Sequence, residues 1–407
     1  MAVRSPASEA ASATPQQEIA RLAELRAVHH ALGHLHQQEM EFRRWQMELA
    51  NVPAPPFGEA ARSKWLQQRF ISLGLHDVQT DELGNVFGLL LAERQPPFVA
   101  VSAHLDTVFP QGTPIGSREE GNKLYGPGIS DNAAGVTAML AVASALQQAQ
   151  LRPTTNIVFI GNVGEEGEGN LRGMRHIFAD PFWGQAISRL LVIDGAGADT
   201  YVTQALGSKR FEVVVRGPGG HSWSDFGVPN PIVLLCRALA AFSQAELPEL
   251  PRTTFNIGVI QGGTSVNSIP ESASARVDLR SASREELEKL EQRLREAFRS
   301  AREFADARIT VEVHCIGDRP AGLLPADAPI LQVIRAVDAH LGIKSVPRLA
   351  STDANIPISL GKEAITIGSG GDGGGAHTLR EWFDCTYRDL GLKRILLALL
   401  TLTGVQE

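Results

Sequence analysis

Length, composition and charge exclude several classes of protein. The chain has 407 residues, of which 43% are hydrophobic and 20% charged, as expected for a globular protein of two or three domains. Its net charge of -7, with no concentrated run of lysine or arginine, argues against nucleic acid as a partner. The sequence also lacks the run of about 18 apolar residues that a membrane-spanning helix needs, so we expect no membrane partner.

The cysteines and the N-terminus predict a cellular location. Cys236, Cys315 and Cys385 are widely spaced and odd in number, which favours a reducing compartment over a disulfide framework. Residues 1–17, "MAVRSPASEAASATPQQ", lack the apolar core of a secretion signal. We therefore predict a flexible leader over residues 1–17 of a cytoplasmic protein.

The first predicted elements are helices. Helical periodicity runs from Glu18 to about Ala50, and the Pro-rich stretch "VPAPPFGEAAR" then opens a second helical segment that ends near Gly74. The first segment contains four histidines, namely His29, His30, His34 and His36. They scatter around the helix without a carboxylate or cysteine partner, so we do not interpret them as a metal site.

Strands and helices alternate beyond Gly84. The near-continuous apolar runs "PFVAVSAHLD", "TNIVFIGNV", "RLLVID" and "EAITIGSG" are typical of strands buried on both faces of a mostly parallel sheet. Between the first two lies a predicted helix, "DNAAGVTAMLAVASALQQ", with Asp131 as its N-cap. This order predicts a three-layer α/β/α domain formed by residues 18–207 and 320–407.

A second pattern interrupts the first. From residue 208 to residue 319 the predicted elements follow the order β-α-β-β-α-β, which is that of a ferredoxin-like unit. Because the apolar run "EAITIGSG" after it resumes the first pattern, we predict that this α+β domain is inserted into the α/β/α domain as a lid.

Polar residues cluster where the predicted parallel strands end or in the loops beyond them. In an open α/β sheet, ligands bind at that edge. The residues concerned are His104 and Asp106 after the first strand, Asp131 at the following helix, Glu165 and Glu166 after the second strand, Asp194 after the third, and His377 after "GSGGDGGG".

This set of residues has the chemistry of a two-metal hydrolytic site. Two imidazoles and three carboxylates suit a pair of zinc ions that share one aspartate, and cobalt or manganese could replace zinc. In "GNVGEEGEGN", one of the adjacent residues Glu165 and Glu166 could bind metal while the other accepts a proton from water. Two cations would offset the repulsion between the neighbouring carboxylates.

A set of ordered motifs resembles those of the M20 metallopeptidases over roughly residues 60–400. The motifs are "HLDT", "DNAAG", "GEEGEG", "GPGGHS", "NSIP", "DLR" and "AHT". The resemblance implies that the metal ligands are His104, Asp131, Glu166, Asp194 and His377, with Asp131 bridging two ions. It also implies that Glu165 is the general base and that Asp106 orients His104.

The resemblance extends to the predicted lid. It implies that His221 reaches the site of a partner subunit to stabilise the oxyanion, and hence that the protein is a homodimer joined through its lids. Asn267 and Arg280 match positions that contact substrate, and an arginine there suits a carboxylate. The run "SDNAAG" lacks a lysine that many deacylases and carboxypeptidases of the family carry, and "ALGSKRFEVVVRGPGGHSW" resembles the tripeptidase-like branch.

We therefore predict a hydrolase that cleaves an amide bond in short peptides. An N-acyl amino acid deacylase or a glutamate carboxypeptidase-like enzyme is the alternative within the family. A nucleotide-binding protein would have to use "GPGISDNAAG" or "GSGGDGGG", neither of which fits a dinucleotide fingerprint or a P-loop. A non-catalytic metal-binding relative is a further alternative, but every predicted ligand and Glu165 are present.

Simpler interpretations of single residues remain open. Asp131 could be only an N-cap, Asp194 a turn residue and His221 part of a structural turn. We interpret the three cysteines and His176, His314 and His340 as structural, because none has a partner at ligand spacing.

Overall fold

The computed structural model describes residues 14–303 and 305–406, so most of the predicted leader lies outside the described residues. The helices are α1 (Pro15–Glu24), α2 (Arg26–Gln37), α3 (Glu39–Ala50), α4 (Ala60–Ser72), α5 (Ala133–Gln148), α6 (Arg172–Ala179), α7 (Trp183–Ala186), α8 (Pro231–Ser243), α9 (Arg284–Glu303), α10 (Pro329–Leu341), α11 (Asn355–Ser359) and α12 (Arg388–Thr403). A short 3₁₀ turn covers Gly167–Gly169.

The strands are β1 (His76–Thr80), β2 (Val86–Leu89), β3 (Phe98–His104), β4 (Arg118–Glu120), β5 (Lys123–Tyr125), β6 (Asn156–Asn162), β7 (Ile187–Ile193), β8 (Thr200–Ala205), β9 (Gly207–Arg216), β10 (Gly220–His221), β11 (Thr253–Gly262), β12 (Ser268–Ile269), β13 (Ser272–Ser281), β14 (Thr310–Arg319), β15 (Gly322–Leu323), β16 (Val346–Ala350), β17 (Glu363–Ile367), β18 (Asp372–Gly374) and β19 (Trp382–Asp384).

The central sheet has nine strands in the order β1-β2-β6-β3-β7-β17-β8-β15, with β16 paired to β8. Its middle strands β6, β3, β7 and β17 are parallel to their neighbours within that group. Every residue of β3 and β6 is buried, as the continuous apolar runs predict. Antiparallel pairs at both sides of this group make the sheet mixed.

Helices cover both faces of the central sheet. Side chains alternate along β3, so Val99 and Val101 pack in one core with α1 to α5, α10 and α12, while Phe98 and Ala100 pack in a second core with α6, α7 and α11. The predicted three-layer α/β/α architecture is therefore confirmed. Among the described residues, no helix is both long and apolar enough to cross a membrane.

The inserted lid forms a separate four-stranded antiparallel sheet in the order β11-β13-β9-β14. Helices α8 and α9 pack against this sheet through their own apolar core, which includes Phe211, Leu235 and Leu294. This arrangement confirms the predicted ferredoxin-like fold of the lid. The lid enters through β9 and leaves through β14, where Arg319 pairs with Ser208, so both connections lie at one end of its sheet.

One local prediction is wrong. The N-cap of α5 is Asn132, whose side chain accepts a hydrogen bond from the amide of Gly135 at 3.1 Å, rather than Asp131. Asp131 lies one residue before the cap, so its carboxylate is left for other contacts. Helix α5 is buried on all sides from Ala133 to Leu146, which fixes the position of this loop relative to the sheet.

Candidate metal centre

Two sheets bring the candidate residues together. His104 ends β3, Glu166 follows β6 and Asp194 follows β7, so these three neighbouring strands deliver them to one edge of the central sheet. A smaller sheet, in the order β18-β19-β5-β4, connects the chain before Asp131 with the chain around His377. His377 has a φ of 64° in the turn between β18 and β19.

The five predicted ligands form two clusters that share Asp131. In the first cluster, Nε2 of His104 lies 3.1 Å from Oδ1 of Asp131 and 3.6 Å from Oδ1 of Asp194. In the second, Nε2 of His377 lies 3.1 Å from Oδ2 of Asp131 and 3.1 Å from Oε1 of Glu166. Asp131 therefore offers one carboxylate oxygen to each cluster, and the potential ligand atoms within each cluster lie within 4.8 Å of one another.

The residues present fit a pair of divalent ions. Each cluster supplies one imidazole nitrogen and two carboxylate oxygens, which is the mixed N/O donor set that zinc accepts. A carboxylate that faces two clusters with different oxygens is the expected bridge of a two-metal site.

The carboxylates control protonation of the two histidines. Burial alone would lower the pKa of His104, but the nearby carboxylates of Asp106, Asp131 and Asp194 raise that pKa well above its ordinary value. Hydrogen bonds to Asp131 and Glu166 raise the pKa of His377 to about 10. Burial opposes ionisation of Asp131, yet the two histidines hold its pKa below the ordinary value. Each imidazole is therefore held by the carboxylates of its own cluster.

Asp106 connects His104 with the Glu165–Glu166 turn. Nδ1 of His104 lies 3.1 Å from the backbone oxygen of Asp106 and 3.7 Å from its carboxylate. The same carboxylate accepts hydrogen bonds from the amides of Glu165 at 3.0 Å and Glu166 at 2.7 Å. Burial opposes ionisation of Asp106, but these bonds and His104 lower its pKa. Asp106 thus holds both the predicted ligand His104 and the turn that carries two candidate functional carboxylates.

Glu165 is buried beside the clusters and is paired with an arginine. Nη1 of Arg319 donates to Oε1 of Glu165 at 3.0 Å. Burial raises the pKa of Glu165 well above its ordinary value, although the charge of Arg319 opposes this shift. A carboxylate with a raised pKa next to a predicted two-metal site has the properties of a general base.

A cavity of about 430 Å³ opens over the two clusters. Asp131, Glu165, Glu166, Asp194 and His377 line it together with three arginines, Arg210, Arg280 and Arg319. The predicted substrate-binding residue Arg280 therefore faces the same space as the ligands. A larger groove of about 1330 Å³ lies on the lid at α8 and α9, but none of the candidate site residues lines it.

His221 and Asn267 lie away from this cavity, on an exposed tip of the lid formed by β10 and β12. Nδ1 of His221 accepts a hydrogen bond from the amide of Trp223 at 3.2 Å, which leaves Nε2 for another partner. The side chain of Asn267 accepts a hydrogen bond from Ser265 at 2.6 Å. Within one chain, the structure does not bring these two predicted residues to the metal ligands.

Sequence reasoning missed three residues of the site. Glu381 is buried and accepts hydrogen bonds from the amides of Gly128, Ser130 and Asp131 at 2.7 to 2.8 Å, so it holds the loop of the shared aspartate. Glu381 lies four residues after His377, and this proximity in sequence is the feature that could have marked it as part of the site. Arg210 and Arg319 come from the lid strands, and no local pattern marks either of them.

A further buried acid, Asp353, was also missed. It accepts a hydrogen bond from Asn162 at 2.6 Å, while its Oδ1 has no hydrogen-bond partner among the described residues. Burial raises its pKa to about 7. Asn162 ends β6, so this pair lies at the end of the strand that leads to Glu165.

The fold and the paired histidine–carboxylate clusters define a class of three-layer α/β proteins with a candidate two-metal centre at the carboxyl edge of the sheet. A family model places the chain within that class, since the model of peptidase family M20/M25/M40 matches residues 100–400. The chain belongs to this family.

Known proteins similar to this chain include peptidases and a deacylating enzyme. Succinyl-diaminopimelate desuccinylase of Nitrosococcus oceani is 25% identical over 327 residues, which cover 74% of this chain and 85% of the relative. The structure of aminopeptidase PepT from Bacillus cereus has a TM-score of 0.72 at 21% identity and covers 89% of this chain and 98% of its own. YXEP of Bacillus subtilis, a dinuclear metal binding peptidase, has a TM-score of 0.65 at 15% identity, with coverages of 91% and 100%.

Proposed function

We propose that this protein is a metal-dependent hydrolase that cleaves an amide bond in short peptides. The observation that carries the proposal is the division of the two Asp131 oxygens between His104 and His377, at 3.1 Å each. Such a shared carboxylate supports two ions, which we expect to be Zn²⁺, with Co²⁺ or Mn²⁺ as substitutes. When bound, these ions would supply Lewis-acid activation of a water molecule and of the scissile carbonyl.

The residues of the chain would then divide the remaining work. His104 and Asp194 would hold one ion, His377 and Glu166 the other, and Asp131 both. Glu165 would accept the proton of the attacking water and pass it to the leaving nitrogen. Asp106, through its hydrogen bonds to the backbone amides of Glu165 and Glu166, would fix the position of the base Glu165 relative to the ligand Glu166.

The lid would supply substrate recognition. Arg280 lines the cavity and donates to Asp278 at 2.7 Å, and Arg210 approaches the same carboxylate at 3.5 Å. Two guanidinium groups fixed by one aspartate suit a substrate carboxylate. His221 and Asn267 would reach the cavity of a second subunit, which makes a homodimer through the lids part of the proposal. The cytoplasmic location predicted from the cysteines remains a prediction.

A substrate panel tests the proposal. Metal-free protein would be reloaded with zinc or manganese and assayed against dipeptides, tripeptides, and N-acetyl and N-succinyl amino acids. We expect metal-dependent release of an amino acid or shorter peptide from at least one peptide. Turnover that persists without metal, or no turnover of any amide with both metals bound, would contradict the proposal.

N-acyl amino acid deacylation is the second candidate. It is favoured by the 25% identity to a desuccinylase over 74% of this chain, and by arginines that could bind the carboxylate of either substrate. Faster hydrolysis of an N-acyl amino acid than of every peptide in the same panel would select this activity. A glutamate carboxypeptidase-like preference would show as faster cleavage before a C-terminal glutamate.

A further inference from the structure

Arg319 lies where the lid joins the catalytic domain. It is the last residue of β14 and pairs with Ser208 of β9, the first lid strand. Although its backbone belongs to the lid, its guanidinium group enters the cavity over the metal clusters. The residue is only 8% exposed, so this charge must be satisfied by the residues around it.

The guanidinium group of Arg319 contacts Glu165 at two points. Nη1 donates to the carboxylate oxygen Oε1 at 3.0 Å, and Nη2 donates to the backbone carbonyl of the same residue. Nη1 also donates to the hydroxyl of Ser351 at 3.2 Å, which is a further restraint on the guanidinium group. A rigid planar group that binds both the main chain and the side chain of one residue restricts its rotamer.

Further lid contacts hold the same turn without touching the Glu165 carboxylate. Nη1 of Arg210 donates to the carbonyl of Gly167 at 3.1 Å. The amide of Asp318 donates to the side chain of Asn170 at 2.9 Å, and Arg175 donates to the carbonyl of Asp318. Several lid residues therefore contact this turn, and Arg319 in addition contacts the Glu165 carboxylate itself.

The geometry points to Arg319 as a positioning residue for the general base. With Oε1 of Glu165 taken by Arg319, Oε2 is left to receive the proton of water. Because Arg319 ends a lid strand, the orientation of the base depends on the lid being in place. This inference rests on the proposed hydrolytic function, and it assigns to Arg319 a role distinct from binding substrate.

Kinetics separate positioning from substrate binding. Since a well-placed base contributes about 10²–10⁴-fold, we expect Arg319→Met to lower kcat about 10- to 100-fold. KM should stay within about twofold and metal content should not change. The kcat of Arg319→Lys should lie between those of the wild type and Arg319→Met, because lysine keeps the charge but loses the two-point contact. A large rise in KM with an unchanged kcat would overturn the inference and assign Arg319 to substrate binding.

Arg175→Met is the matched control. Arg175 lies at the same contact between the lid and the catalytic domain and donates to the carbonyl of Asp318, next to Arg319, but no contact with Glu165 is found for it. We expect its kcat to be that of the wild type. An equal loss of kcat in the Arg175 and Arg319 variants would mean that any disturbance of the contact between lid and catalytic domain lowers kcat, which would overturn a specific role for Arg319.

A double variant tests whether Arg319 acts through Glu165. In a Glu165→Gln background, adding Arg319→Met should cause less than about a twofold further loss, because residues that act as a unit are not additive. A further loss as large as in the wild-type background would contradict the inference. In Arg319→Ala, added guanidinium at low concentration should restore part of kcat, and it should restore none when Glu165→Gln is combined with Arg319→Ala.

Hydrogen exchange supplies a readout that does not depend on activity. In metal-free protein, Arg319→Met should increase exchange in residues 163–170, and Arg175→Met should increase it less. Unchanged exchange there would show that Arg319 does not fix the turn. The proposed function is tested separately, by wild-type turnover and its loss in Glu165→Gln, so hydrolysis could stand while the role of Arg319 fails.

Discussion

The metal clusters and the lid tip differ in how complete they are within one chain. At the clusters, side chains separated by up to 246 residues in sequence meet within hydrogen-bonding distance. Asp106 and Glu381 accept hydrogen bonds from the backbone of the loops that carry them. At the tip, His221 and Asn267 are exposed, and Trp223 and Phe226 beside them are 86% and 91% exposed. The donor atoms of the candidate metal centre are therefore assembled within one chain, whereas the two predicted residues of the tip are not brought to any other candidate site residue.

The two regions suit different kinds of partner. The donors of the two clusters are already arranged to hold small cations. The tip presents an imidazole nitrogen and large apolar side chains, a combination that a second protein surface can cover. A second copy of the chain supplies such a surface if the tip reaches the cavity above the partner's metal clusters.

The largest expected effect concerns the division of roles between Glu165 and Glu166. Glu165→Gln should lose about 10²–10⁴-fold in kcat while keeping its metal, because an amide cannot accept the proton of water. Glu166→Gln should instead lose metal, since Glu166 faces His377 at 3.1 Å. Metal analysis and kinetics on both variants check this. Loss of metal from Glu165→Gln with full retention in Glu166→Gln would reverse the assignment.

The second prediction tests whether the tip completes a partner's site. His221→Ala should lower kcat about 10²- to 10³-fold, as expected for loss of an oxyanion donor. Mixing His221→Ala with Glu165→Ala should restore roughly a quarter of wild-type sites after random exchange of subunits in a two-fold dimer.

Subunit exchange must be verified with differently tagged chains. Purified heterodimer should have one intact site, so its activity should reach about half that of a wild-type dimer. A verified heterodimer no more active than either parent would show that His221 does not act across the interface. The tip and the clusters would then be functionally unconnected.

The third prediction concerns support of the clusters. Glu381→Gln should weaken metal binding about 10- to 100-fold, because it replaces an acceptor that serves three backbone amides around Asp131. Competition with a coloured chelator would measure the affinity. Asp384→Asn is the control, since Asp384 lies on β19 but accepts from Thr386 and not from the Asp131 loop. Equal weakening in both variants would contradict a specific role for Glu381.

The smallest expected effect is a pH dependence of the metal-free protein. The pKa of His377 is raised from 6.5 to about 10 by Asp131 and Glu166. Its protonated form therefore stabilises the fold fully below about pH 6.5, and this contribution is lost as pH rises through about 10. Tm of metal-free protein should fall over this window, and His377→Gln should reduce the fall.

Two controls distinguish the titration of His377 from a general effect of alkaline pH. His221→Ala should keep the wild-type slope, since the contacts found for its imidazole are with backbone amides. Metal-loaded protein should show a smaller slope because metal takes the place of the proton. An identical slope in metal-free wild type and His377→Gln would remove His377 from the titrating cluster.

The sequence was most informative for polar residues that directly follow the predicted parallel strands. His104, Glu166 and Asp194 could be grouped because buried parallel strands deliver their carboxyl ends to one edge. The same reasoning could not decide which of Asp131 and Asn132 caps α5, since both residue types are good caps and only the three-dimensional contacts distinguish them.

Other features depend on contacts that are distant in sequence. Arg319 meets Glu165 across 154 residues, and a single arginine in "GDRPAG" carries no periodicity that would reveal this pairing. Glu381 acts on a loop about 250 residues away. The division of the Asp131 oxygens likewise depends on the small sheet that places His377, which no local pattern in the glycine-rich segment predicts.

The most direct test of the two-metal account is anomalous diffraction from crystals of zinc-loaded protein, recorded on both sides of the zinc absorption edge. If two zinc ions share Asp131, the map should show two peaks about 3.5 to 4 Å apart, one beside His104 and Asp194, the other beside His377 and Glu166, with Asp131 between them. A single peak, or two peaks that do not share Asp131, would rule out a shared two-metal site.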